Sequence, residues 1–163
     1  GPCACARIPP RLPERGDPPG EKKLALMRTF FDSSGLAKRY IKEQGSDKVE
    51  TLLAGATEAA VSLICPPEIT SALSRLRRQN SISAAQYHTA KKALFEDIED
   101  MSVCAITITA VHGAIDLIER HPLRTMDALH VACALEWRAD LFVSSDRRQL
   151  AAAAKSGLRV LPV

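Results

Sequence analysis

The chain has 163 residues and a formal net charge of +3, with acidic and basic side chains interspersed. That length suits one domain with a core that needs no disulfide support, and the slight basic excess is only weak evidence for a nucleic-acid partner. No uninterrupted apolar run is long enough to cross a membrane, and the chain start lacks the apolar segment of a signal peptide, so we expect a cytoplasmic protein.

The cysteines are compatible with that location. Cys65, Cys104 and Cys133 stand singly within apolar segments, where a thiol is most often a small core residue. Cys3 and Cys5 form a lone C-x-C without the second pair or the histidines that complete a zinc site. We therefore expect no metal role for the cysteines.

Residues 1–26 do not have the composition of a folded domain. Six of the ten prolines fall here, together with scattered charges and no hydrophobic periodicity. Such a segment cannot bury enough apolar surface to offset the entropy of ordering it. We predict a disordered extension, or one added for expression, with Met27 as an alternative start and a single domain over residues 27–163.

From Met27 onward, short β-rich apolar segments alternate with helical patterns. The predicted strands are residues 29–31, 59–64, 103–107, 140–145 and 158–163. The first predicted helix begins at a cap at Ser33 or Ser34 and runs to about residue 42, and a second covers residues 47–53. A third begins at the Pro66–Pro67 pair, and a fourth covers residues 84–100 after a Ser83–Gln86 capping box. The last three are expected over residues 110–120, after an N-cap at Thr125, and from Asp146. This alternation predicts an α/β fold with a central, mostly parallel sheet of about four to five strands, flanked by helices.

Four acids share one kind of position in this arrangement. Asp32, Glu68, Asp127 and Asp146 each lie at the end of a strand or in the first turn of a helix that packs on the sheet. Any one of them alone is more readily explained by helix capping and the helix dipole. Together, however, four converging carboxylates repel one another unless a cation lies among them. Oxygen ligands without a set of histidines or thiolates favour Mg²⁺ or Mn²⁺, and such ions promote phosphoester hydrolysis.

The sequence also resembles a known family. The segments FFDSSGLAKRY, PPEITSALSR, RTMDALHVACAL and ADLFVSSDRRQLAAAAKSGLRVLPV are similar to those of PIN-domain nucleases, in particular the VapC-type ribonuclease toxins of type II toxin–antitoxin systems. The resemblance maps the family's catalytic and metal-binding acids onto Asp32, Glu68, Asp127 and Asp146, and its strand-end hydroxyl onto Ser144. Two departures are the serine at this last position, where the family often has threonine, and the tandem prolines before Glu68.

The resemblance implies an Mg²⁺- or Mn²⁺-dependent endoribonuclease that leaves a 5′-phosphate and a 3′-hydroxyl. It also implies a cognate antitoxin and a homodimer. Candidate RNA contacts are the arginines beside the acids, namely Arg75, Arg78, Arg147 and Arg148, although any single one of them is more often a solvated surface residue. His130, one helical turn after Asp127, is expected to be a core or hydrogen-bonded residue, because a metal-activated water needs no histidine base.

Two hypotheses from other classes stay open at this point. The domain could be a PIN-like RNA-binding module without catalysis, and the presence of all four acids disfavours that. It could also be a flavodoxin-like phosphatase or hydrolase that uses Asp32 as a nucleophile, which leaves Glu68 without a role.

Overall fold

A computed structural model describes residues 27–163 of the chain. The predicted extension over residues 1–26, including Cys3 and Cys5, lies outside the described residues. Within residues 27–163, no helix combines the length and the apolar character needed to cross a membrane.

Five parallel strands form one central sheet in the order β3-β2-β1-β4-β5. The strands are β1 (Arg28–Phe31), β2 (Glu58–Ser62), β3 (Ser102–Cys104), β4 (Leu141–Ser144) and β5 (Arg159–Pro162). The predicted fold class is therefore confirmed. Because β1 pairs with β2 on one side and β4 on the other, the strand order reverses at β1, and the crevice beyond the carboxyl end of β1 is where open α/β sheets bind ligands.

The strands are connected and covered by helices. The described helices are α1 (Ser33–Ala37), α2 (Ser46–Gly55), α3 (Cys65–Arg78), α4 (Ala84–Glu99), α5 (Ile108–Arg120), α6 (Thr125–Trp137) and α7 (Arg147–Lys155). Pro66 and Pro67 occupy the first turn of α3, and Ser83 forms the predicted capping box with Gln86 at the start of α4.

Two predicted N-caps are wrong. Asp32, not Ser33 or Ser34, caps α1, because its carboxylate accepts the Gly35 N–H at 2.7 Å. At α6 the extended N-cap residue is Arg124, which makes no side-chain capping bond, and Thr125 is already helical.

The helix predicted to run to about residue 42 also ends early, at Ala37. The buried Ser46 hydroxyl donates to the Lys38 carbonyl at 2.7 Å and accepts the Glu43 N–H at 2.9 Å. These contacts turn the chain back on itself. Gly45 then adopts a positive φ of 97° as the N-cap of α2.

The sheet separates two hydrophobic cores. Because side chains alternate along a strand, Phe30 packs against α5, α6 and α7, whereas Phe31 packs against α1 to α4 on the other face. Cys65, Cys104 and Cys133 are buried in these cores, as predicted. With helices on both faces, the carboxyl edge around the end of β1 is where loops and helix starts can bring polar groups together.

Candidate metal centre

The four acids come from four separate parts of the chain. Asp32 directly follows β1 and Asp146 follows β4, while Glu68 and Asp127 lie in the first turns of α3 and α6. Strand ends and helix starts of this kind lie at the carboxyl edge of a parallel sheet. The fold therefore gathers the acids around the end of β1.

Asp32 is the most deeply placed of the four. Its side chain is nearly inaccessible, at 3% exposure, and it accepts hydrogen bonds from the Gly35 N–H and from the Ser34 hydroxyl, at 2.8 Å and 3.0 Å from the two carboxylate oxygens. Burial raises the pKa of Asp32, although the nearby His130 and these hydrogen bonds act in the opposite direction. Such a carboxylate is held rigidly and gains most from a neighbouring positive charge.

Glu68 is half-buried and held from one side. Its Oε2 atom accepts a short hydrogen bond from the Ser33 hydroxyl and another from His130 Nε2 at 2.6 Å. Burial tends to raise the pKa of Glu68, but the hydrogen bonds from His130 and Ser33 outweigh that effect and lower the pKa below its ordinary value. Since Ser33 is adjacent to Asp32, this contact ties the third helix to the end of β1.

Asp127 lies in a different electrostatic environment. Burial raises its pKa, and the negative charges of Asp146 and then Glu68 raise it further, against the opposing effect of His130. Asp146 caps α7, where its Oδ1 atom accepts the Arg148 N–H at 2.7 Å. Asp146 and Glu68 are thus close enough to Asp127 for their negative charges to raise the pKa of its carboxyl group.

A second set of hydrogen bonds connects β4 to α6. The Ser144 hydroxyl donates to the Gln149 Oε1 atom at 2.8 Å and accepts the Asp146 N–H at 2.9 Å. Gln149 Nε2 in turn donates to the carbonyl oxygen of Asp127 at 3.0 Å. Ser144 thus holds the backbone of Asp146 directly and that of Asp127 through Gln149. Gln149 is fully buried, and no sequence pattern marks it as part of the site.

His130 is the other functional residue that sequence reasoning undervalued. As predicted, it is buried and hydrogen-bonded, but its partners include Glu68 itself, together with Ser62 at the end of β2. Its position one turn after Asp127 was a usable signal for proximity to the site.

The donor set fits a divalent cation. It consists of carboxylate oxygens, as Mg²⁺ and Mn²⁺ prefer. Burial and then the negative charges of Asp146 and Glu68 raise the pKa of Asp127, and a nearby cation would act in the opposite direction. Within residues 27–163, no three histidine, cysteine, aspartate or glutamate side chains are arranged as a complete direct ligand set. Mg²⁺ usually keeps several waters and takes only one or two carboxylates directly, so the remaining acids suit water-mediated contacts.

The basic residues near the site divide into two groups. Arg75, Arg78, Arg147 and Arg148 are exposed. Arg147 and Arg148 directly follow Asp146, whereas Arg75 and Arg78 lie in the last turn of α3, at the opposite end of that helix from Glu68. By contrast, Arg39 is engaged by Asp97, with its Nε atom 2.8 Å from the carboxylate, and Lys38 donates to the Gln44 carbonyl. A shallow groove of about 610 Å³ runs along α3 and α4 and has Arg78 and Lys91 in its lining.

This arrangement defines a class: a parallel α/β protein with an acidic, oxygen-rich site at the point where its strand order reverses. A family model described as the PIN domain matches residues 29–155, most of the predicted domain of residues 27–163. The chain belongs to the PIN-domain family.

Relatives and solved structures agree with this assignment. The chain is 30% identical over 139 residues to Ribonuclease VapC45 of Mycobacterium tuberculosis, covering 82% of this chain and 94% of the relative. The Mycobacterium tuberculosis toxin VapC20, described as cleaving the sarcin–ricin loop, has the same fold, with a TM-score of 0.62, 16% identity, and coverage of 83% of this chain and 99% of that chain.

A structure of VapBC2 from Rickettsia felis, bound to a DNA fragment from its promoter, also matches in fold. Its TM-score is 0.61 at 12% identity, with coverage of 84% of this chain and 99% of that chain. Taken together, the family match and these similarities confirm the predicted family, the enzyme class of ribonuclease, and the toxin type.

Proposed function

We propose that this chain is an Mg²⁺- or Mn²⁺-dependent endoribonuclease, acting in the cytoplasm as the toxin of a type II toxin–antitoxin system. The observation that carries the proposal is that four acids from separate segments lie at strand ends or helix starts on the carboxyl edge of the sheet, with Glu68 joined to the end of β1 through Ser33. Ribonucleases of this family are generally dependent on divalent metals, which agrees with a set of carboxylate ligands.

In this function Asp32, Glu68 and Asp127 would hold one or two ions, directly or through water. Asp146 would complete the cluster or orient the attacking water. When bound, an ion would activate that water and neutralise the charge that develops on the phosphate oxygens. In-line attack by the water would form a new bond to phosphorus and break the bond to the 3′-oxygen, which takes up a proton and leaves as the 3′-hydroxyl beside a 5′-phosphate.

The alternative use of Asp32 as a nucleophile agrees poorly with its surroundings. Its carboxylate is buried and accepts hydrogen bonds from Ser34 and Gly35, whereas an attacking carboxylate needs an open path to the phosphorus atom. The contact between Ser33 and Glu68 also gives Glu68 a place in the same site, which the phosphatase hypothesis left unexplained.

Four exposed arginines would supply contacts for an RNA backbone on either side of the acids. Arg75 and Arg78 follow Glu68 on α3, and Arg147 and Arg148 follow Asp146. Cations at these positions bind phosphates without reading sequence, so the proposed recognition rests on backbone and shape.

Two protein partners complete the proposal. A cognate antitoxin would cover the acidic pocket with a C-terminal segment that presents an arginine, and this is supported by the likeness to VapBC complexes. A homodimer would bury apolar surface that the described part of the chain leaves exposed, including Ile108, Ile115 and Ile118 on α5. Purification alone and with the adjacent gene product, followed by mass measurement in solution, checks both partners.

The decisive test of the enzyme is Asp127→Asn, which keeps the side-chain shape and removes one charge. We expect RNA cleavage in Mn²⁺ to fall by at least about 100-fold, the size of effect typical for loss of a group that stabilises a transition state electrostatically. The matched control is Asp116→Asn, because Asp116 is an exposed acid on α5 that faces Arg120. The proposal is wrong if the Asp127→Asn protein cleaves RNA as fast as the control.

A further inference from the structure

His130 stands in an unusual position for a core histidine. Only 1% of its surface is exposed, yet both ring nitrogens have polar partners. Nδ1 lies 2.9 Å from the Ser62 hydroxyl, and Nε2 lies 2.6 Å from Glu68 Oε2 and 3.0 Å from the Ser33 hydroxyl. The ring therefore joins the ends of β1 and β2 to the starts of α3 and α6.

The contacts on Glu68 are all on one side of its carboxylate. Oε2 accepts from both Ser33 and His130, whereas Oε1 accepts no hydrogen bond from any residue between 27 and 163. A carboxylate fixed at one oxygen presents the other in a single direction. Carboxylates that bind metals are commonly held in this way by hydrogen bonds from a neighbouring shell of residues.

We infer that His130 is a positioning residue, which, with Ser33, fixes Glu68 Oε2 so that Oε1 is directed at the metal site, while Ser62 fixes the ring of His130. This inference rests on the proposed metal-dependent function. It assigns to His130 an effect on metal affinity through Glu68, without contact with the ion or the RNA.

The geometry separates this role from general-base catalysis. A general base must reach the proton that it removes, directly or through one water. The ring of His130 is closed off from solvent, and both nitrogens are already occupied by Ser62, Ser33 and Glu68. The hydrogen on Nε2 is donated to a carboxylate and is not available to a substrate.

His130 also controls a second acid through the helix that carries it. Asp127 lies on the same helix, one turn earlier, and its backbone carbonyl is held by Gln149. Anchoring the ring of His130 to β2 and α3 therefore fixes the rotation of the first turn of α6. Loss of the anchor would loosen the metal site at Glu68 first and at Asp127 second.

The experiment measures Mn²⁺ binding by calorimetry, separately from RNA cleavage. In His130→Leu, which keeps side-chain bulk and removes both polar contacts, we expect the dissociation constant for Mn²⁺ to rise about 10- to 100-fold, as for other losses of support to a metal ligand. Cleavage at saturating Mn²⁺ should recover most of its wild-type rate. The matched control is His112→Leu, because His112 is an exposed histidine on α5.

Two milder variants keep the test decisive if His130→Leu folds poorly. His130→Gln retains a donor for Glu68 and should keep Mn²⁺ affinity within about threefold of wild type, whereas Ser62→Ala releases the ring and should weaken it by about threefold to tenfold. Unchanged Mn²⁺ affinity in a folded His130→Leu protein, or in Ser62→Ala, would overturn the inference. So would a cleavage rate that stays low at saturating Mn²⁺, which would indicate a catalytic role.

The outcome is also distinguishable from failure of the proposed function. If the function is wrong, the wild-type protein itself binds no Mn²⁺ and Asp127→Asn changes nothing. If only the inference is wrong, wild-type binding and the effect of Asp127→Asn both persist, and His130→Leu behaves like His112→Leu.

Discussion

The first turns of α3 and α6 hold acids in similar positions but with opposite pKa shifts. Each places one acid in the first helical turn, each acid is half-buried, and both lie beside the end of β1. Their pKa values nevertheless move in opposite directions, since that of Glu68 is lowered and that of Asp127 is raised. Burial and helix position are alike in the two, so neither explains the difference.

The difference lies in what surrounds each carboxylate. Glu68 has two side-chain donors, Ser33 and His130, which stabilise its charged form. Asp127 faces the charges of Asp146 and Glu68, and the effect of these acids exceeds that of the nearby His130. The charged form of Glu68 is thus stabilised by neighbouring side chains, whereas the charged form of Asp127 would gain more from a bound cation.

The largest expected effect concerns metal-linked stability. At an Mn²⁺ concentration of about 100 times the dissociation constant, binding should raise the free energy of unfolding of the wild-type protein by about 2.7 kcal/mol. Asp127→Asn should lose most of this gain, because the carboxylate that most needs the cation is gone. Urea denaturation with and without Mn²⁺ measures the difference. A full gain in Asp127→Asn would mean that the start of α6 does not contribute to binding.

A smaller effect should appear without metal, in EDTA at neutral pH. Glu68→Gln should lower the free energy of unfolding by about 1 to 2 kcal/mol, because hydrogen bonds to a charged acceptor are weakened. Asp127→Asn should instead raise it by about 0.5 kcal/mol, since removing a half-exposed charge relieves repulsion of modest size. If both variants lose stability equally, the contrast between the two helix starts is wrong.

The smallest effect is the pH dependence of these differences in EDTA. A lowered pKa means that Glu68 contributes stability above its unfolded pKa of about 4.5, which is lost as the pH falls through the lower folded value. A raised pKa means that Asp127 costs stability at neutral pH, and this cost disappears as the pH falls through the folded value toward the unfolded 3.8. As the pH falls from neutral, the Asp127→Asn protein should therefore approach the wild-type stability first, at pH values above about 3.8. The Glu68→Gln protein should approach it from the other side, and only below about pH 4.5. Parallel curves would contradict the assigned pKa shifts.

Much of the fold was predictable because the periodicity of the sequence is local. The apolar runs around Phe30 and Phe142 have strand character, and the helices between them force parallel pairing. Parallel pairing then brings acids at strand ends to one edge, which is why the sequence predicts that Asp32 and Asp146 lie at the same edge of the sheet. The assignment of helix caps failed where several candidates stood in a row, as at Asp32, Ser33 and Ser34, since only tertiary contacts select among them.

The hydrogen bonds that hold the acids in place could not be predicted from local sequence patterns. Gln149, which also binds Ser144, contacts Asp127 at a separation of 22 residues in the sequence. His130 contacts Glu68 at a separation of 62 residues. Such contacts depend on the rotation of each helix about its axis and on the rotamer of each side chain. Helix rotation and side-chain rotamers cannot be predicted from hydrophobic periodicity, because that pattern indicates only which face of a helix is buried.

The tandem prolines at the start of α3 bear on how the site attracts its substrate. Helix starts usually offer a cluster of free backbone N–H groups that hold phosphates, but Pro66 and Pro67 have none, and the Glu68 N–H is already donated to the Ile64 carbonyl. A phosphate that approaches the beginning of this helix meets almost no amide donors. In the proposed function this helix start would then contribute little to binding the nucleic-acid backbone, so we expect the ion-free protein to hold RNA weakly.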